Sequence, residues 1–155
     1  MRLRILTVGS KMAAWVQAGY QEYTKRLPVE FKIELVETPL AQRRKGEAPD
    51  RAIQLEGKAL LKALTKNDHV VALAVDGKAW NTEQLAQNLR DWQNDGNNIS
   101  FLIGGPDGLD TACLARANQQ WSLSAMTLPH PLVRIMLAEQ LYRAWSINAG
   151  HPYHR

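Results

Sequence analysis

The chain has 155 residues, a single cysteine, and 19 Lys and Arg against 15 Asp and Glu, for a net charge of +4 and a pI near 9.4. A domain of this length buries roughly two-thirds of its unfolded surface, so it needs no disulfide framework, and Cys113 closes no intrachain bridge and has no Cys or His at metal-ligand spacing. No run approaches the ~18 apolar residues of a membrane span, and the apolar part of "MRLRILTVGSKM" is too short for a signal peptide.

These features lead us to expect one soluble, cytoplasmic domain over residues 1–155, without metal or membrane partner. The basic excess suits a polyanion, because cationic side chains gain from releasing condensed counterions. Of its local clusters, Lys25-Arg26 and Arg43-Arg44-Lys45 read as solvated surface.

Apolar, β-rich runs recur in chain order at "LRILTV", "FKIELV", "HVVALAV", "NISFLI" and "QWSLSA", mostly with helical periods between them. After the second run, "TPLAQRRKGEAPD" is polar, basic and bounded by helix breakers, and predicts a mobile loop. The following "DRAIQLEGKALLKALTK" predicts a helix with Ile53, Leu60, Leu61 and Leu64 inward. Asn81 is an N-cap for "NTEQLAQNLRDWQNDG", with Gln84 three residues on, Leu85, Leu89 and Trp92 on one stripe, and Gly96 as the stop. Strands alternating with helices predict an α/β fold: a mostly parallel sheet with helices on both faces.

The last helix, "PLVRIMLAEQLYRAWSI", is apolar around most of its circumference. A surface helix needs a stripe of only ~100°. It therefore has to be covered on more than one side, and a second copy of the chain, through residues such as Ile135 and Leu141, is the cover expected here.

The fourth strand empties into Gly104-Gly105-Pro106-Asp107-Gly108, and the fifth into "SLSAMTLPHP" with Ser122, Ser124 and Thr127. In a parallel sheet these loops share the carboxyl edge, where open α/β proteins bind ligands. The glycine spacing matches neither the dinucleotide nor the P-loop pattern. The chain then ends in "HPYHR", a concentration of proton-exchanging and cationic groups at a terminus, where sequence is ordinarily unconstrained.

"FLIGGPDGL", "WSLSAMTLPHPLVRIMLAEQLYRAWSI" and "HPYHR" together resemble the RlmH-type branch of the SPOUT methyltransferases, over essentially the whole chain. That family methylates N3 of a pseudouridine in 23S ribosomal RNA, using S-adenosyl-L-methionine. The resemblance implies a homodimer, a C-terminal trefoil knot, and the ribosome or its rRNA as partner. It also implies a cofactor wall of Leu73, Gly104, Gly105, Leu123, Ser124, Ala125, Met126, Thr127 and Leu128. The family often carries an acidic residue after the leucine, where Ala74 stands here.

A uracil-type N3 must lose its proton to become nucleophilic, so His154 or Tyr153 is the candidate for proton removal or orientation. Arg155 is the candidate for stabilising the developing charge or a phosphate. Lys11, Arg134 and Arg143 are candidate contacts to the RNA backbone. The alternative reading is a non-catalytic RNA- or ribosome-binding factor, for which a basic α/β domain suffices.

Overall fold

The computed structural model describes residues 1–154. Its strands are β1 (Leu3–Val8), β2 (Ile33–Thr38), β3 (His69–Ala79), β4 (Ile99–Ile103) and β5 (Gln119–Ser122). Its helices are α1 (Ala14–Thr24), α2 (Asp50–Ala63), α3 (Thr82–Asn94), α4 (Thr111–Arg116) and α5 (His130–Ala149), with short 3₁₀ turns at Val29–Phe31 and Pro152–His154. The second strand starts later than its apolar run because Phe31 belongs to the first of these turns, and the fifth stops at Ser122.

The five strands form one sheet in the order β2-β1-β4-β3-β5, with every neighbouring pair parallel. Side chains of a strand alternate between faces, and that alternation divides the core in two. Leu3, Ile5, Val71, Ile99, Phe101 and Ile103 join Leu85, Leu89 and Trp92 of α3 and Leu137, Leu141 and Ala144 of α5 on one face. Leu6, Val8, Val70 and Leu102 join Leu60 of α2 and Cys113 of α4 on the other. Helices do cover both faces.

α3 begins as its sequence requires: Asn81 accepts from the Gln84 amide at 2.8 Å while the Gln84 side chain accepts from the Asn81 amide at 2.8 Å. α2 differs from expectation. Its inward positions are Ala52, Glu56, Gly57 and Leu60, whereas Ile53 is only half-buried. A carboxylate thus occupies a core-facing site, and its partner comes from the segment expected to be mobile: Arg43 bonds both Glu56 oxygens, at 2.7 and 3.1 Å.

α5 is covered mainly from within the chain, by α1, by α3 and by the sheet. Leu141, expected at a contact between copies, is buried in its own protomer. Ile135 lies against Gly19 of α1, where an added Cβ would come within 2.8 Å of its Cδ1. What remains outside is narrower: Leu132 (40% exposed) and Met136 (38%) one turn apart on α5, and Trp15 (58%) one turn before Gly19 on α1.

Candidate active site

β3 pairs with β4 only as far as Ala72, and its register with β5 jumps between Leu73 and Lys78. Between Leu73 and Lys78 the strand bulges away from the sheet and leaves a crevice beside the carboxyl ends of β4 and β5. The crevice is a cavity of about 470 Å³, within the size range of small-molecule sites. Leu73, Ala74 and Val75 line it from the bulge, Gly104, Gly105, Pro106 and Gly108 from the glycine turn, and Ser122 to Ser124 and Met126 to His130 from the loop after β5. Ile103, Trp121 and Val133 complete the lining.

The structure therefore brings Leu73, Gly104, Gly105, Leu123, Ser124, Met126, Thr127 and Leu128 to one cavity, while Ala125 of the same run is exposed and does not line it. Two side-chain bonds shape the run: Ser122 Oγ donates to the Ser124 carbonyl at 2.9 Å, and the Met126 amide donates to Ser124 Oγ at 3.0 Å.

The glycines serve the turn before any ligand. A Cβ on Gly104 would stand 2.5 Å from the Gly108 carbonyl carbon, so the turn, closed by a Gly108 amide to Gly105 carbonyl bond of 3.0 Å, excludes a side chain there. Only Gly108 of the turn has a left-handed φ, +85°. A Cβ on Gly105 would point to Glu56 and Val8, at 3.1 and 3.2 Å.

No Lys, Arg, Asp or Glu is among the described lining residues. Phosphate-rich ligands need cations or a crown of free amides, and these walls instead suit an uncharged ring with a few polar edges. Ala74 lines the cavity, while the carboxylate of β3, Asp76, is exposed and does not.

His130 and Arg134 are the lining and supporting residues that sequence reasoning left out of the pocket. Arg134, only 2% exposed, donates from Nε to His130 Nε2 (3.1 Å), from one terminal nitrogen to Glu37 (2.8 Å) and from the other to the Gly9 carbonyl (2.8 Å). Each of its three nitrogens has a partner inside the protein and almost none of the side chain meets solvent, so the expected contact of Arg134 with RNA is corrected. His130 Nε2 accepts from Arg134, which leaves the ring neutral with its proton on Nδ1. Burial first, and the adjacent Arg134 charge second, hold its pKa below the ordinary histidine value. The "PHPLVR" string held the clue: residues 130 and 134 are four apart and so share a helix face.

The tail lies elsewhere. Tyr153 packs on Tyr142 with ring centroids 4.5 Å apart, and its hydroxyl donates to Glu139 Oε1 at 3.1 Å. Arg143 sits over the Tyr153 ring at 5.0 Å and bonds Glu139 at 2.8 Å, so only part of its guanidinium faces solvent. Arg26, expected as solvated surface, lies 5.8 Å from the centroids of both Tyr142 and Tyr153. Burial first, and Glu139 second, raise the Tyr153 pKa, so its hydroxyl stays protonated near neutral pH. His154 Nδ1 is buried and bonds no described group. Arg155 lies outside the described residues.

Neither Tyr153 nor His154 lines the cavity. Glu139 is six residues beyond the lining residue Val133, about 9 Å along the helix axis. The structure thus brings the two loops together and leaves Tyr153 and His154 apart from them within one protomer. Lys11, with a φ of +56°, is exposed just after β1.

Known proteins agree with this architecture over nearly the whole chain. A family model described as "Predicted SPOUT methyltransferase" matches residues 1–154. A protein of Saccharophagus degradans named Ribosomal RNA large subunit methyltransferase H is 57% identical over 155 residues, all of both chains. Its namesake from Hahella chejuensis is 54% identical, across all of this chain and 99% of that protein.

Among solved structures, a probable methyltransferase from Bordetella pertussis Tohama I superposes with a TM-score of 0.61 at 17% identity, covering 92% of this chain and 93% of that one. A probable methylase family protein from Haemophilus influenzae gives 0.58 at 10% identity, over 99% and 70%. These two similarities speak to fold alone. With a five-stranded parallel sheet, an uncharged loop-walled cavity at its carboxyl edge and a family match from the first residue to 154, the chain belongs to the SPOUT methyltransferases.

Proposed function

We propose that this chain transfers a methyl group from S-adenosyl-L-methionine to N3 of a pseudouridine in 23S ribosomal RNA, as a cytoplasmic homodimer acting on the assembled ribosome. The observation that carries the reading is the uncharged cavity of about 470 Å³, in a chain 54–57% identical over full length to proteins named large-subunit rRNA methyltransferases. The cavity fits the adenosine part of the cofactor by chemistry. Leu73, Leu128 and Val133 offer apolar walls for a purine, while Ser124, Thr127 and the glycine backbone offer polar edges. Gly104, Gly105 and the run from Leu123 to Leu128 would hold it. When bound, it supplies an electrophilic methyl group, which leaves the protein to align the acceptor and remove its proton.

Tyr153 keeps its own proton on Oη, so it orients rather than abstracts. His154 is then the base, and Arg155 is assigned the task of offsetting the negative charge that forms on the ring. Because Tyr153 and His154 do not line their own protomer's cavity, the site is completed by these residues of a second copy. The apolar strip of Trp15, Leu132 and Met136 supports such a pairing. We take the C-terminal segment to be threaded as the family's trefoil knot, a reading supported by the shared edge on which the bulge of β3 and the loops after β4 and β5 converge.

Mass mapping of rRNA from cells lacking and carrying this chain tests the proposal. A single methyl appearing at one pseudouridine is the expected result. A protein that binds ribosomes yet shows no calorimetric uptake of S-adenosyl-L-methionine would instead be the non-catalytic binding factor.

A further inference from the structure

The glycine turn has an inner and an outer side. Gly104, Gly105, Pro106 and Gly108 line the cavity, but Asp107 does not. Its carboxylate faces outward and accepts from Arg43 Nε at 2.9 Å. Both terminal nitrogens of the same guanidinium bond Glu56, which is 3% exposed. Glu56 also accepts from the Ala41 amide at 3.1 Å and lies against Gly105, whose hydrogen points at its Oε1. One planar guanidinium thus spans three parts of the fold: the middle of α2, the tip of the glycine turn, and its own segment between β2 and α2. Arg43 NH1 further donates to the Ala41 carbonyl at 2.9 Å, which closes that segment on itself.

A structural role alone does not require this arrangement. A bidentate pair with Glu56 satisfies the buried carboxylate; the third bond, to a half-exposed Asp107, adds little to folding. Its consequence is local, because it fixes the one residue of the turn whose side chain leaves the cavity. Lysine cannot substitute, since a point charge cannot make the fork to Glu56 and a third bond at once.

We propose that Arg43 is a positioning residue for the cofactor wall: it clamps the outer side of the 104–108 turn through Asp107 and Glu56, so that the inner side is preorganised for the ligand. The proposal rests on the reading of the cavity as the S-adenosyl-L-methionine site. It gives the basic segment after β2 a task other than that of a free, solvated loop.

Asp107→Ala is the variant of choice, since Asp107 touches no cavity and its loss leaves the Arg43–Glu56 pair intact. In the free protein, hydrogen exchange of the 104–108 amides should quicken, with the melting temperature nearly that of the wild type. Calorimetry should show cofactor affinity weakened by about two- to fivefold, the range expected for one exposed charged tie. Turnover at saturating cofactor should change far less than the cofactor KM. Asp107→Glu should restore affinity, and Arg43→Lys should not.

Unchanged turn exchange in Asp107→Ala overturns the clamp whether or not the cavity takes cofactor. Quickened exchange with wild-type affinity and KM overturns its role in binding. A wild-type protein that binds no S-adenosyl-L-methionine strikes at the reading of the cavity instead, and leaves the exchange result to decide the clamp.

Discussion

His130 stands where the first turn of α5 meets the end of β1, the glycine turn and the cavity. Thr7 Oγ1 lies 3.2 Å from its Nε2, and Arg134 ties it to Glu37 at the end of β2. Burial and the neighbouring arginine hold its pKa below the ordinary histidine value, so between the two values the folded chain binds fewer protons than the unfolded one. Stability is then fully present above the unfolded pKa, and falls as pH drops from there toward the depressed folded value. In urea melts, the midpoint should fall between about pH 7.5 and 5.5, and His130→Asn, which keeps an acceptor for Arg134, should flatten that fall. An equal pH dependence in both proteins would remove His130 as its source. The glycines make a second residue-scale contrast. Gly104→Ala forces a methyl against the backbone of Gly108, whereas Gly105→Ala meets only side chains, at 3.1 and 3.2 Å. We expect the first to cost about 2 kcal/mol or more and the second about 1 kcal/mol or less, measured by denaturant titration.

Helix α3 is the element whose stability is most locally written. Its reciprocal Asn81–Gln84 cap satisfies donors that the first turn leaves open, and Asn81→Ala should cost about 1 kcal/mol, visible as a lower denaturant midpoint at unchanged slope. This cap, the Leu85-Leu89-Trp92 stripe and the Gly96 stop were all legible in the sequence because each is a relation between residues a few positions apart. The five strands and the glycine turn were legible for the same reason. What could not be read was the identity of partners far along the chain. The circumference of α5 announced how much of it is covered, but α1, α3 and the sheet cover most of it, so Leu141 is a core residue and not a contact between copies. The segment after β2 looked mobile because its anchor is a carboxylate at an inward position of α2, which a polarity pattern assigns to solvent. Arg134 looked available for RNA because its acceptors are Glu37, 97 positions away, and the Gly9 carbonyl, 125 positions away. The loops at the sheet edge were readable as a pocket from the parallel direction of the strands; the distance of Tyr153 and His154 from it was not.

At the scale of the whole molecule, the separation of cavity and tail constrains how a complete site is built. The cavity abuts the first turn of α5, while Tyr153 is held beside Glu139 and Tyr142 farther along the same helix. Tyr153 is held along the helix away from its own cavity, and on the proposed reading a second copy docked on Trp15, Leu132 and Met136 supplies the tail. This makes a prediction that no single-chain arrangement shares. A chain ending at Pro152 keeps the cavity and loses Tyr153, His154 and Arg155; Thr127→Trp keeps the tail and fills the cavity from an exposed lining position. Each alone should be inactive. When the two are co-refolded at equal amounts, about half the dimers are mixed, and each mixed dimer holds one site with an open cavity and an intact tail. Methylation should therefore return to about a quarter of the wild-type level. Adding Met136→Glu to both chains places a charge in the apolar strip and should abolish the recovery while each chain still folds, because Met136 is 38% exposed in the protomer. Activity in the truncated chain by itself, or none in the mixture despite dimers in sedimentation, would show that the tail does not complete the site across the interface.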